Sequence, residues 1–327
     1  RGSHAAGDAA GAGGTHLQLN ASRHGMTDRN PRAMSLRRPV HLRRAPSAGR
    51  PLLLAVLVAL PPSPAHAHAI DGNTVADGLL DALIAAALLL PALLYLRGRR
   101  RGLLRWRDGA QAAGLLLLVG ALFGPLEALA SQSFAAHMAQ HMVLVALAPP
   151  LLALARPGPA MLRGLPARLR GVARWPRQRL LRPLINASRS VRATAVLHGL
   201  TIWLWHVPAA FELALRNDLL HAAEHLTLLA SGLLFWRAVR RARGSAQGTA
   251  LMWLLLTLMH TGLLGALLAL SPHPLYPSYA LRPDVLADQQ LAGLIMWVPM
   301  GLVYLAAGQW VALRLLRPHR APKALRV

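Results

Sequence analysis

Hydrophobic positions along the chain are gathered into long blocks and do not alternate with the short period of an amphipathic strand or surface helix. A helix needs about 20 apolar residues to cross a bilayer. Seven apolar blocks near this length follow one another, at residues 79–96, 109–130, 134–155, 193–215, 219–239, 249–270 and 291–316. The pattern therefore predicts an all-α, polytopic membrane protein built as a seven-transmembrane-helix bundle.

The region before the first block has a different character. Residues 1–33 are polar and rich in Gly and Arg, and we interpret them as a disordered or non-native extension. Residues 34–67 have a basic start, a short apolar core at 52–60 and a small-x-small sequence at 65–67, which predicts a signal peptide. The alternative, a further membrane helix, would need a longer core. Three parts remain: an extracytoplasmic segment (68–78), the membrane domain (79–316) and a cytoplasmic tail (317–327).

Arginine is distributed unevenly between the connectors. The connectors after the first, third, fifth and seventh blocks are strongly basic, and ten arginines lie between residues 156 and 192. The only arginines in the other three connectors are Arg216 and Arg282. Because basic connectors stay inside, the N-terminus is predicted outside and the C-terminus inside a bacterial cytoplasmic (inner) membrane. The arginine-rich connector could alternatively bind anionic membrane lipid or a partner.

Charge and cysteine content exclude several classes of function. The net charge of +24 would suggest nucleic acid binding in a soluble chain, but here the arginines lie between apolar blocks, so no nucleic acid partner is expected. The chain has no cysteine, which excludes disulfides and thiolate metal sites. A bound metal would need His, Met or carboxylate ligands. Motifs of nucleophilic or phosphate-binding enzymes are missing from the sequence, so we do not expect an enzyme.

Five histidines are predicted to share one layer near the outer face, in three consecutive helices. They are His137, His141, His206, His221 and His225. Two pairs have a spacing of four residues, which places both rings of each pair on one face of a helix. Burying so many imidazoles in a membrane is costly unless they have a partner. The group therefore predicts a metal or cofactor site that faces the periplasm or exterior.

Other polar and sulfur-containing residues are weaker candidates. Imidazole suits copper, zinc and iron, whereas a thioether favours Cu(I), so Met138, Met142 and His260 are secondary candidate ligands. His198 is expected to be a hydrogen-bonded packing residue. Metal-bound imidazoles usually need a partner that orients them. Three carboxylates are candidates for this role: Glu127, Glu224 and Asp288.

Several motifs, in order and spacing, resemble the CtaG family of seven-span cytochrome c oxidase assembly factors. They are HMAQHM (137–142), APPLL (148–152), WHVP (205–208), HAAEH (221–225) and DQQLAGLIMW (288–297). The resemblance extends over residues 79–316. It implies a role in maturing a haem-copper oxidase, at its copper centres. The lack of cysteine excludes the unrelated cysteine-containing copper chaperone that bears the same name.

The leading hypothesis is an assembly factor that binds a copper ion with the five histidines and assists metallation of the oxidase. Its partners would be haem-copper oxidase subunits and a periplasmic copper donor. Three alternatives stay open: a membrane redox protein that ligates haem b, a copper transporter, and a scaffold without metal. An absorption spectrum separates haem from copper, and transport would need a continuous polar path.

Overall fold

The computed structural model describes residues 74–99, 105–171, 186–280 and 284–317, and within these ranges the secondary structure is helical. The predicted all-α fold is confirmed for this part of the chain. The predicted extension (1–33) and signal peptide (34–67) lie outside the described residues, as do 68–73 and 318–327. Among the described residues, six helical segments are long and apolar enough to cross a membrane: Gly78–Gly98, Trp106–Ala130, Phe134–Ala155, Asp218–Arg241, Ala246–Leu270 and Val285–Leu316.

We number the α-helices in chain order. They are α1 (Thr74–Gly98), α2 (Trp106–Leu122), α3 (Pro125–Ala130), α4 (Phe134–Met142), α5 (Ala148–Ala155), α6 (Pro157–Gly164), α7 (Val191–His206), α8 (Pro208–Leu215), α9 (Asp218–Arg241), α10 (Ala246–Leu270) and α11 (Val285–Leu316). A π-helix (Val143–Leu147) joins α4 to α5, and a 3-10 turn (Pro277–Tyr279) lies between α10 and α11.

The fourth apolar block, residues 193–215, is two helices. α7 ends at His206, Val207 has an extended backbone, and α8 begins at Pro208. Proline disfavours the helical conformation at the residue before it and has no N–H to continue the helix, which explains the break. The sequence-based prediction of one span-length helix here is corrected to a broken one, with a candidate site residue at the break.

Pro149 has a comparable effect on the third block. It lacks the N–H that would bind the carbonyl of Val145, and the chain forms the π-helix immediately before it. The indole N–H of Trp236 on α9 donates to that carbonyl instead, at 3.1 Å. Gly232 lets α9 come this close, because a Cβ there would lie 3.2 Å from both Val145 O and Pro149 Cγ. The proline thus fixes how α9 packs against the third block.

α10 and α11 pack closely over small residues. A Cβ on Gly265 would lie 2.8 Å from the carbonyl oxygen of Gly293 and 2.9 Å from the backbone nitrogen of Trp297. Such small residues allow helix backbones to approach each other in a membrane. Met296 and Met300 on α11 are buried in the hydrophobic core.

Candidate metal centre

The five predicted histidines come together in the folded chain. The ring centroid of His141 lies 4.6 Å from that of His137, 5.3 Å from that of His225 and 6.0 Å from that of His206. The ring of His221 lies 5.3 Å from His137 and 4.2 Å from His225. Rings from α4, α7 and α9 therefore form one connected group, with His141 at its centre. We call these five residues the histidine group.

α4 holds two members of the group, and its start is fixed from another helix. Ser133 caps α4 by accepting a hydrogen bond from the backbone of Ala136. Asp288 of α11 accepts bonds from the Ser133 hydroxyl (2.7 Å) and the Phe134 N–H (2.6 Å). The sequence suggested Asp288 as a partner of an imidazole, but these bonds hold the helix backbone. It therefore positions the rings of α4 indirectly.

His206 has a definite tautomer. Its Nδ1–H donates to the carbonyl of Ile202 at 2.6 Å, because a carbonyl can only accept, and the lone pair is therefore on Nε2. That Nε2 is buried and has no hydrogen-bond partner among the described residues. Metal-bound histidines usually donate their other ring N–H to a carbonyl or carboxylate in this way. The ring is thus prepared to offer Nε2 to a cation.

The tautomer of His137 follows from its contact with a tyrosine. Tyr279 donates its hydroxyl proton to the carbonyl of Ala130 (3.2 Å), so its oxygen accepts from Nδ1–H of His137 (3.2 Å). The lone pair of His137 is then on Nε2, which lies 3.1 Å from Nε2 of His141. His141 therefore donates its Nε2–H to His137, and a cation that takes the place of this proton would meet both imidazole nitrogens.

Glu224 adds a carboxylate to the histidine group. Its side chain has no exposed surface, and Oε1 lies 3.6 Å from Nε2 of His141. Neither carboxylate oxygen has a hydrogen-bond partner within the described ranges. A buried carboxylate in this state is costly unless a cation compensates it. Ligand atoms of His137, His221 and Glu224 lie within 4.8 Å of one another, as do those of His137, His141 and His225.

Glu127 reaches the group through a residue that the sequence analysis missed. Gln140 on α4 donates to the Glu127 carboxylate and, at 2.8 Å, to the carbonyl of Ala121. Glu127 also lines a cavity of about 30 Å³ together with His221 and His225. An amide between two histidines gives little sequence signal, since polar residues at that position are common. Gln140 thus links α4 to α2 and α3, and Glu127 lies beside two rings.

The loop after α10 covers the site with aromatic side chains. Tyr276 and Tyr279 are buried and pack against Phe134, and Tyr276 also packs against Phe211. The Tyr276 hydroxyl donates to the carbonyl of His206 at 3.0 Å. Burial raises the pKa of Tyr276, so its phenol stays protonated and can keep this bond. The sequence did not single out these two tyrosines as residues near the site.

A comparison with protein families now identifies the chain's relatives. The model of the cytochrome c oxidase caa3 assembly factor family, Caa3_CtaG, matches residues 90–318, well over half of the chain and the whole histidine group. The chain belongs to this family. Comparisons with curated proteins and with solved structures found no match. The resemblance found in the sequence motifs is confirmed, and the Caa3_CtaG match places the chain among oxidase assembly factors.

Three secondary candidates of this Caa3_CtaG chain have packing or hydrogen-bonding contacts. His260 accepts a hydrogen bond from the indole N–H of Trp203 at 3.2 Å. Met138 and Met142 are buried in the hydrophobic core cluster. Among the described histidines and carboxylates whose ligand atoms converge, His260 is not found. They have packing and hydrogen-bonding roles in the geometry observed.

His198 also belongs to the packed interior. Its two ring nitrogens lie 3.1 Å from the hydroxyl of Ser231 and 3.0 Å from that of Tyr304. Its ring stacks on Phe235, with centroids 5.3 Å apart. The prediction that His198 is a hydrogen-bonded packing residue is confirmed.

Proposed function

We propose that this protein is a non-enzymatic assembly factor that binds a copper ion in the histidine group and transfers it to a subunit of a haem-copper oxidase, or holds that subunit open while metal enters. His206 is the observation that carries the proposal. Its Nδ1–H is fixed by a carbonyl, and its buried Nε2 has no hydrogen-bond partner among the described residues. Such a side chain is expected where a cation binds.

The ligand chemistry supports copper as the cargo. Imidazole suits copper, zinc and iron, and the cysteine-free chain offers imidazole together with the Glu224 carboxylate. Membership in a cytochrome c oxidase assembly family favours copper among these ions, because that oxidase is a haem-copper enzyme. Ligand exchange between sites of similar affinity is enough for transfer. No catalytic base is required.

The proposed topology has seven crossings, with α7 and α8 together forming the fourth. A broken helix is tolerated in a membrane where protein surrounds it, and His206 at the break is buried. The arginine distribution supports an N-terminus outside and a C-terminus inside a bacterial cytoplasmic membrane. The histidine group then faces the periplasm or exterior, where a copper donor and the oxidase subunit would meet it.

Copper content of the purified protein tests the proposal. The protein in detergent micelles is exposed to copper, passed through a desalting column and analysed for metal. We expect copper in the wild type and in His198→Ala, which changes a buried histidine outside the group. We expect loss of copper in the His137→Ala/His141→Ala variant. Equal copper in wild type and double variant would overturn the site assignment.

Haem b is the alternative that the same sample tests. The rings of the group contact one another at centroid distances of 4.2–6.1 Å, and the adjoining cavity has about 30 Å³. Pockets for organic ligands have several hundred Å³. The geometry therefore supports an ion more than a macrocycle. A strong Soret band in the purified protein would reverse this preference.

A further inference from the structure

We propose that the cavity beside the histidine group is the vestibule through which a cation reaches it, and that Asp81, Glu127 and Asp218 attract the ion there. This inference rests on the proposed function, since it assigns a route to the same site. The cavity lies between α1, α2, α3 and α9. The three carboxylates come from three of these helices.

The cavity is directly connected to ligands of the proposed site. His221 and His225 line it and also belong to the histidine group. Nε2 of His225 is buried and has no hydrogen-bond partner in the part of the chain that the structure describes. An ion that leaves the cavity for the histidine group would therefore meet an available imidazole nitrogen.

The charge of the cavity is opposite to that of the chain. Only 12 residues of the protein are acidic and its net charge is +24, yet three acids line this one cavity. None of its lining residues among those described is Lys or Arg. A cleft lined by one sign of charge, with apolar walls, concentrates ions of the opposite sign and raises their association rate. The arrangement favours a cation.

The three acids lie in different local settings. Asp218 is the first residue of α9, where a negative charge stabilises the helix terminus. Glu127 accepts a hydrogen bond from Gln140. Asp81, however, lies inside the apolar helix α1, where an ionisable residue is costly and usually functional. Asp81 and Glu127 act electrostatically on each other. Two carboxyl groups kept together in an apolar wall are expected where a cation passes.

The size of the cavity suits a small ion. Its volume of about 30 Å³ has room for one or two water molecules. A copper ion could pass only after losing most of its hydration shell. Carboxylate oxygens would replace the lost water ligands, and the imidazoles of His225 and His221 would then replace the carboxylates. The vestibule therefore gives a graded exchange from oxygen to nitrogen ligands.

Uptake kinetics test the role of the charges. The protein in micelles is mixed with Cu²⁺ in a stopped-flow instrument at low and high salt, and the total copper bound is measured afterwards. Asp81→Asn/Asp218→Asn is expected to lower the uptake rate about tenfold at low salt, with a weaker salt dependence and unchanged copper content. Asp284→Asn is the matched control. It removes one exposed acid at the N-terminus of α11, outside the cavity, and should leave the rate unchanged.

A steric variant gives an independent measurement. Ala222 lines the cavity, whereas its neighbour Ala223 does not. Ala222→Leu should slow both uptake and release of copper without changing the amount bound, and Ala223→Leu should have neither effect. Wild-type rates in both the charge variant and Ala222→Leu would overturn the vestibule alone. A lower copper content in Asp81→Asn/Asp218→Asn would make those acids ligands and overturn it too. A wild-type protein that takes up no copper would overturn the proposed function and the vestibule with it.

Discussion

Asp288 accepts a hydrogen bond of 2.7 Å from the hydroxyl of Ser133, which lies 155 residues earlier in the chain. Ser133 caps α4, and Asp288 also accepts from the first N–H of that helix. His137 and His141 lie in the first two turns of α4, so a shift of its start would move both rings. Through Asp288, the last helix of the bundle thus helps to fix the position of two members of the histidine group.

Removing the Asp288 carboxylate should therefore weaken both the fold and metal binding. We expect Asp288→Ala to lower the free energy of unfolding by about 1–2 kcal/mol, as the loss of a helix cap does. Copper affinity should fall as well, because the rings of α4 lose their fixed position. Asp288→Asn should restore part of both, since an amide oxygen also accepts these bonds. Thermal unfolding by circular dichroism and a copper titration measure the two effects. Lost copper with unchanged stability would instead indicate that Asp288 is a ligand.

The Trp236–Val145 hydrogen bond predicts a coupling between two positions. Trp236→Phe leaves a buried carbonyl without its donor and should cost about 1–3 kcal/mol of unfolding free energy. In Pro149→Ala the new backbone N–H can reach the same carbonyl. The double variant should therefore be more stable than the sum of the two single changes predicts, a non-additivity measured by a double-mutant cycle. Additive losses would mean that the carbonyl does not depend on either donor.

Substitutions of His198 and His206 should have different effects on stability and on metal binding. His198→Ala leaves the hydroxyls of Ser231 and Tyr304 without a ring partner and is expected to cost about 1–3 kcal/mol, with copper content unchanged. His206→Ala removes a proposed ligand and should lower copper affinity. Both variants are compared by thermal unfolding without copper and by copper content after loading. Copper loss in His198→Ala at temperatures where the protein stays folded would extend the metal site to the interior of the bundle.

Close packing between α10 and α11 predicts different tolerance at two glycines. Gly265→Ala would place a Cβ 2.8 Å from the Gly293 carbonyl and should cost about 1–3 kcal/mol, because the two helices must separate. Gly308→Ala is the control, since its Cβ would lie 3.6 Å from a Leu251 side-chain carbon, an ordinary contact. Thermal unfolding of both variants in the same detergent checks this. Equal stability would show that the helix pair can adjust.

The sequence by itself determined where most apolar helices lie and which histidines could form the histidine group. Apolar length and the four-residue spacing of His137 and His141 are local properties of a helix, so they predict where rings point before the helices are packed. Proline also predicts a local disturbance of a helix, but whether the helix breaks there depends on the residues packed around it. At Pro208 the helix breaks, whereas at Pro149 it continues through a π-helix because Trp236 satisfies the freed carbonyl.

Only the tertiary structure decided what each polar residue does. Ser133 and Asp288, His137 and Tyr279, and Gln140 and Glu127 are pairs whose members lie in different segments of the chain. Their hydrogen bonds depend on distances of about 3 Å and on direction, and neither is set by the spacing of residues within one helix. Asp288 therefore became a helix cap instead of an imidazole partner. The position of each histidine along its own helix can be read from the sequence. The tautomers of the rings and their neighbours follow from how the three helices pack.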